Sequence, residues 1–294
     1  MEASMIEATQ EQKETGKFNF KTWGEFVTLA EQGMSELAMG SRSSRNNGRH
    51  WTGNTFAEAV KEAREGWPEG SNRINRSLEI LQSHIPSTAK VQEVAYSQVG
   101  PGTLDMGRYI MGHPAPYVTW VESEANSQAS GGIIRISMNV SSSGGVDKES
   151  LFNQGATVCM LIDLLERGNK RVELEVVMGS GPRNDRHSIN ITRVMVKNAN
   201  DPLDMDRIAF ATANAGMYRR LGFSLMEQMS PHMRRMLNVP RGGYGRVLDN
   251  VNVDFDGTDI LIDSSSLRRM DYIESQKTWI RTQLAEQGLE LIID

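Results

Sequence analysis

Residues 133–140 read IIRISMNV and run directly into SSSGGV, so an apolar stretch delivers Asn139, Ser141 and Ser143 in the order N-x-S-x-S. Side-chain oxygens at alternate positions beyond a strand have three chemical uses. They can ligate a hard cation, which takes oxygen donors and usually one or two carboxylates. They can cap the helix that opens near Leu151, or shape a tight turn. They can also hold a partner. The acids available to such a site are Asp147, Asp204 and Asp263. Asp204 follows the apolar run 188–197 and heads a helix, where a negative charge is favoured in its own right.

A second group of residues carries charge. Residues 177–250 hold 11 Lys and Arg against 6 Asp and Glu, in a chain of formal net charge −5. Arg183 and Arg186 stand in the loop GSGPRNDRH. Arg219 and Arg220 are adjacent, as are Arg234 and Arg235. Arg241 and Arg246 flank Tyr244 in RGGYGR. Guanidinium groups for phosphate and a ring for base stacking are what single-stranded nucleic acid requires. The competing use is a solvated surface with local ion pairs. Arg42, Arg45, Arg49 and His50 beside Trp51 form a smaller group of the same kind.

Catalytic signatures are thin. GSGP at 179–182 lacks the Lys and Ser/Thr of a phosphate loop, and no G-x-S-x-G elbow occurs. The five histidines are widely separated, without metal spacing. Asp254 and Asp256 in NVDFDGTD read as a turn. The single cysteine, Cys159, lies in the apolar run GATVCMLIDLL and reads as a buried small hydrophobe. It can form no internal disulfide, which points to a reducing compartment. No run of uncharged apolar residues is long enough to span a membrane. The amino-terminal residues carry acids and no apolar core, which points away from secretion.

The elements that position these residues follow from periodicity. Residues 1–17 are polar and aperiodic and read as a tail that is disordered or loosely helical. Helical spacing predicts helices over 20–39, 55–65 and 71–83, which makes residues 18–88 a helical amino-terminal region. Strands are expected at 90–97, 117–122, 133–140, 171–178, 188–197 and 259–263. Helices are expected at 151–167, 205–228 and 271–286, with a last strand in LELII. The strands at 117–122 and 133–140, joined by a loop, suggest an antiparallel hairpin at a sheet edge. The later β-α-β steps imply an α/β domain over residues 89–294, with a mostly parallel doubly wound sheet. In such sheets ligands bind beyond the carboxyl ends of the strands, where the Asn139 loop and the 263–266 loop both lie.

NVSSS at 139–143, followed by the helix LFNQGATVCMLIDLLERG and the strand RVELEVV, resembles the von Willebrand factor A-like domain. There a strand ends in Asp-x-Ser-x-Ser, the serines help to bind Mg²⁺, and a helix follows. The resemblance covers residues 116–294. It implies a metal site at Asn139, Ser141 and Ser143, with Asp204 as a further ligand by position. Asn139 stands where that family has its first aspartate, which removes a unit of charge and lowers the expected affinity for Mg²⁺. Otherwise no cofactor is expected. Such domains are mostly adhesion, assembly or scaffolding modules and few are enzymes.

GNTFAEAVKEAREGWPEG at 53–70 and LDMDRIAFATANAGMYRRLGF at 203–223 also resemble a family of bacteriophage proteins with this A-like core. That likeness implies a non-enzymatic recruitment factor in the cytoplasm of an infected bacterial host. Its partner would be a protein, such as a polymerase or another viral complex, together with single-stranded DNA, in viral transcription or replication. Two alternatives stand beside it: a structural scaffold without nucleic-acid affinity, and a Mg²⁺-dependent phosphoryl-transfer or nuclease enzyme.

Overall fold

A strand that buries both faces must lie inside a covered sheet, and Ile134, Ile136, Ser137, Met138 and Asn139 are all buried. That strand is an interior strand of the larger sheet. The structure, a computed structural model, describes residues 7–33, 44–45, 48–82, 89–124, 132–182, 189–240, 243–247, 257–263, 272–287 and 290–291.

The chain opens with α1 (Gln10–Thr15), β1 (Lys17–Phe20), α2 (Trp23–Glu31), α3 (Phe56–Glu65) and α4 (Pro68–Gln82). Helices α1, α2 and α3 start on the same device: a threonine (Thr9, Thr22, Thr55) accepts from the backbone three residues on, and Gln12, Glu25 or Glu58 reaches back. In β1, Phe18 and Phe20 are buried while Lys17 and Asn19 are exposed, the period of a strand rather than of the helix expected from residue 20. Helix α1 lies inside the stretch expected to be disordered or loosely helical.

Next come β2 (Ala89–Ser97), β3 (Thr103–Leu104), α5 (Met106–Ile110) and β4 (Tyr117–Glu124). They are followed by β5 (Ile133–Asn139), α6 (Lys148–Arg167), β6 (Arg171–Ser180) and β7 (Asn190–Lys197). The chain ends with α7 (Met205–Ala213), a π-helical stretch (Met217–Gly222), α8 (Phe223–Glu227), α9 (Pro231–Leu237), β8 (Ile260–Ile262), α10 (Ile273–Glu286) and β9 (Glu290–Leu291).

The strands form two sheets. The five-stranded sheet has the order β1-β7-β6-β5-β8, and only the β6–β7 pairing is antiparallel. The fold is therefore α/β with a mixed, mostly parallel sheet. The second sheet, β3-β4-β2-β9, is antiparallel. The expected hairpin of β4 with β5 does not form: β4 pairs with β2, from Ser97 opposite Tyr117 to Lys90 opposite Glu124. The reason lies in burial. The second half of β5 is buried on both faces and belongs in the interior, whereas Tyr117, Val118 and Thr119 of β4 stay half-exposed, as suits a one-sided antiparallel sheet. Moreover, β1 lies before residue 89 and β5 to β8 after it, so one sheet draws on both sides of the expected boundary.

Helix α6 is buried on every side from Gln154 to Asp163. It lies close against α7: a Cβ on Gly155 would stand 2.4 Å from Ala213 Cα. Around α2, Trp23, Phe26 and Phe210 form tilted and edge-on ring contacts, and the Trp23 indole N–H donates to Ala63 O at 2.7 Å. Each such ring adds roughly 2 kcal/mol by leaving water. The helix expected over 205–228 is broken at Asn214, whose φ and ψ are extended and whose Oδ1 accepts from Gly216 N.

Candidate functional site

The loop after β5 is where sequence placed the chemistry, and its groups are largely spent inside the chain. Asn139 Oδ1 accepts from Ser141 N at 3.0 Å, an Asx turn. Ser141 Oγ accepts from Gly179 N at 2.6 Å and so ties the loop to the end of β6. Both residues are buried; Ser143 is exposed, and its Oγ accepts from Gly145 N at 3.4 Å. Asp147 caps α6, accepting from Glu149 N at 2.8 Å and Ser150 N at 2.9 Å. The Ser150 backbone bond, above all, holds its carboxyl below the usual carboxylate range.

Asp204 does not follow the pattern expected of it. Because β7 runs antiparallel to β6, its last residue, Lys197, lies opposite Leu174, at the end of the sheet away from Asn139, which pairs with Val177. Asp204 caps α7 through Arg207 N at 3.0 Å and pairs with the Arg207 guanidinium at 3.2 Å. Just beyond β8, Gln154 Nε2 of α6 donates to Asp263 O at 3.4 Å; residues 264–266 of the second expected loop lie outside the described residues. No group of three or more His, Cys, Asp or Glu close enough to hold a metal occurs among the described residues.

The arginines expected to meet nucleic acid include two of the most enclosed cations in the molecule. Arg219 is 1% exposed and Arg220 3%. Arg219 donates to Trp51 O at 2.9 Å, Ser143 O at 2.9 Å and Val146 O at 2.5 Å, and its guanidinium lies 4.5 Å over the Trp51 ring. Trp51 Nε1 in turn donates to Gly144 O at 3.2 Å. Arg220 donates to Ser44 O, Gly48 O, Asn54 O and Thr52 Oγ1, all between 2.7 and 3.0 Å. Burial pulls the Arg219 pKa down to about 10 and lowers that of Arg220.

Tyr244 is buried as well. Its ring stacks on Phe223 with centroids 3.6 Å apart, and its hydroxyl donates to Glu227 Oε1 at 2.5 Å. Burial, with the Glu227 carboxylate beside it, raises its pKa. Glu227, fully buried, also accepts from Ser44 N and Ser44 Oγ, both at 2.8 Å.

These contacts enclose Arg219, Arg220 and Tyr244: they fasten residues 44–45, residues 48–54 and the Asn139 loop to the helical run behind them. Arg45 is used in the same way, donating to Glu31 O and Gly33 O, and Arg49 pairs with Glu58 at 2.6 Å. Arg234 and Arg235 lie in the last turn of α9, and Arg246 is exposed beside its backbone bridge to Gly181. Arg183, Arg186 and Arg241, like Arg42, Asp254 and Asp256, lie outside the described residues.

Sequence reasoning missed Glu227, Ser44, Asn54 and Asn214. Asn54 Nδ2 donates to Glu62 Oε2 at 2.8 Å and Asn214 Nδ2 to the same oxygen at 3.0 Å; burial raises the Glu62 pKa. A signal was present: Arg219 and Arg220 interrupt an otherwise apolar run, which marks buried cations better than a surface patch.

It also missed an apolar surface. Met106, Tyr109 and Ile110 share one face of α5 by their spacing, yet they are 56%, 59% and 76% exposed, and Met111 next to them 78%. Arg108 anchors this helix, lying 3.8 Å over the Tyr96 ring of β2 and donating to Ala115 O.

Compared with known proteins, residues 8–291 match the model of a family described as a domain of unknown function, DUF7192. The chain belongs to the DUF7192 family. The match takes in both sheets and α5 alike. No curated protein and no solved structure matches the chain. Among the described residues no helix is long and apolar enough to cross a membrane.

Proposed function

We propose that this DUF7192 chain is a non-enzymatic binding module that holds a protein partner on the surface around α5. The observation that carries the reading is the outward-facing group Met106, Tyr109, Ile110 and Met111. It opens on the order of 500 Å² of side chain, at the upper end of the roughly 300–600 Å² of the largest patch on a typical monomer. Tyr96, under the Arg108 guanidinium, adjoins it and extends it towards the roughly 800 Å² that one side of a standard interface contributes. Tyr, Met and Arg are the residue types enriched where proteins meet.

The internal use of Asn139, Ser141, Arg219, Arg220 and Tyr244 supports the choice of a protein partner over catalysis or nucleic acid. The core supports a doubly wound, A-like reading. Counting β5 as the first strand, β6, β7 and β8 give the order 3-2-1-4, the start of the doubly wound series, with the N-x-S-x-S loop at the end of its first strand. On this reading the Asn139 loop is a structural turn held by Ser141 and Arg219.

The test is a capture experiment with nuclease in every sample. The parent chain and an Ile110→Asp/Met111→Asp variant are used as bait in extract of the cells that express the protein. A partner held by the parent and lost from a variant of unchanged thermal midpoint supports the reading. A partner held equally by both, or a homo-oligomer with no partner, contradicts it.

A further inference from the structure

A cavity of about 450 Å³ opens between α1, Gln32 just beyond α2, and residues 228–234, within the usual size of small-ligand sites. Backbone contacts hold its walls. Ser230 N donates to Lys13 O at 2.9 Å. Gly16 takes φ +67, and a Cβ there would stand 2.7 Å from Met233 Cε and 3.0 Å from Ile189 O, so glycine lets α1 close against α9.

The charges around this cavity differ from those of the buried arginines. Lys13 and Arg234 line it, and so do Glu7 and Glu14. Among the described residues, neither Lys13 nor Arg234 gives its side-chain donors to any acceptor, and Arg234 Nε is buried without a partner. Arg219 and Arg220, by contrast, are filled with carbonyl and hydroxyl acceptors. Lys13 from α1 and Arg234 from α9 bring two cations with open donors to the cavity lining, which suits a carboxylate, an acceptor of charge-assisted bonds. Glu7 and Glu14 disfavour a doubly charged anion such as phosphate and suit a ligand that also carries an ammonium group. Gln228 fixes its amide by donating to Leu29 O at 2.9 Å, which leaves its Oε1 as an acceptor beside the cavity.

We propose that this cavity binds a small zwitterionic ligand of amino-acid or short-peptide chemistry, its carboxylate held by Lys13 and Arg234. The site is separate from the α5 surface and stands without it.

Calorimetric titration of the full chain with dialanine, dialanine amide, alanine and inorganic phosphate tests this. The expected result is saturable binding of dialanine or alanine, weakened about tenfold or more by amidation and by Arg234→Gln, and largely kept by Arg234→Lys. Alanine binding as well as dialanine assigns a free amino acid; dialanine alone assigns a peptide end. The proposal is overturned if the amide binds as well as the acid. It is also overturned if Arg234→Gln and Lys13→Gln, shown to be folded by their thermal midpoints, change nothing, or if phosphate binds more tightly. Absence of saturable heat from both alanine and dialanine at roughly 10 mM overturns it too.

Discussion

The Arg219 guanidinium donates to the carbonyl of Ser143 at 2.9 Å, across 76 residues of sequence. One bond therefore joins the two features that looked most functional in the sequence, the serine loop and the arginine pair, and turns both inward. Removing the cation leaves the carbonyls of Trp51, Ser143 and Val146 without their donor. Arg219→Ala is expected to lower unfolding free energy by about 3 kcal/mol or more, while the exposed Arg235→Ala stays within about 0.5 kcal/mol. Urea denaturation of the two variants checks the contrast.

Close approach of α6 and α7 gives the second prediction. Gly155→Ala puts a methyl where Ala213 Cα stands 2.4 Å away, so the helices must separate. A loss of about 1–3 kcal/mol follows from such overpacking, read as a fall in the denaturant midpoint with the slope unchanged.

Asp147 links the serine loop to pH. Its carboxyl is held below its ordinary 3.8 by the backbone donors of α6. The cap's contribution is therefore full above that value and lost as pH falls through the lowered folded value. Asp147→Ala should cost about 1 kcal/mol at neutral pH. The difference from the parent should shrink as the solution is acidified below the ordinary carboxylate pKa, which thermal midpoints across pH will show.

Cys159 is enclosed, and burial pushes its thiol up to about 12. A thiol reagent at neutral pH should leave it unmodified in the native chain and label it at once in urea. Labelling at equal rates in both would contradict its packing.

On the α5 reading, single-stranded oligonucleotides are expected not to bind appreciably even at low ionic strength, where phosphate contacts are strongest. A fluorescence-anisotropy titration checks this, and salt-dependent binding would contradict it.

The sequence was most legible where periodicity and burial agree. The strand ending at Asn139, helix α6, and strands β6 and β7 lie within a few residues of their expected places, because long apolar patterns leave few alternatives. Pairing was less legible. Adjacency along the chain suggested β4 with β5, but which strand needs covering on both faces is decided by packing that no local window reports. The direction of β7 had the same effect on Asp204. Side-chain destiny was least legible. Arg219 and Arg220 look alike on a surface or in a core until the acceptors are known, and those come from residues 44–54 and 143–146, far away in sequence. The T-x-x-Gln and T-x-x-Glu signals at Thr9, Thr22 and Thr55 mark true helix starts, and Thr22 places the start of α2 after Phe20.

The central claim, that the α5 surface is where a protein partner sits, is tested most directly by site-specific photocrosslinking in the cells that express the protein. A photoreactive residue is placed at Ile110 and, as control, at the exposed Glu65 of α3. The account predicts a discrete, nuclease-resistant adduct with another protein from position 110 and none from position 65. No adduct at 110, or the same adduct from both positions, would contradict it.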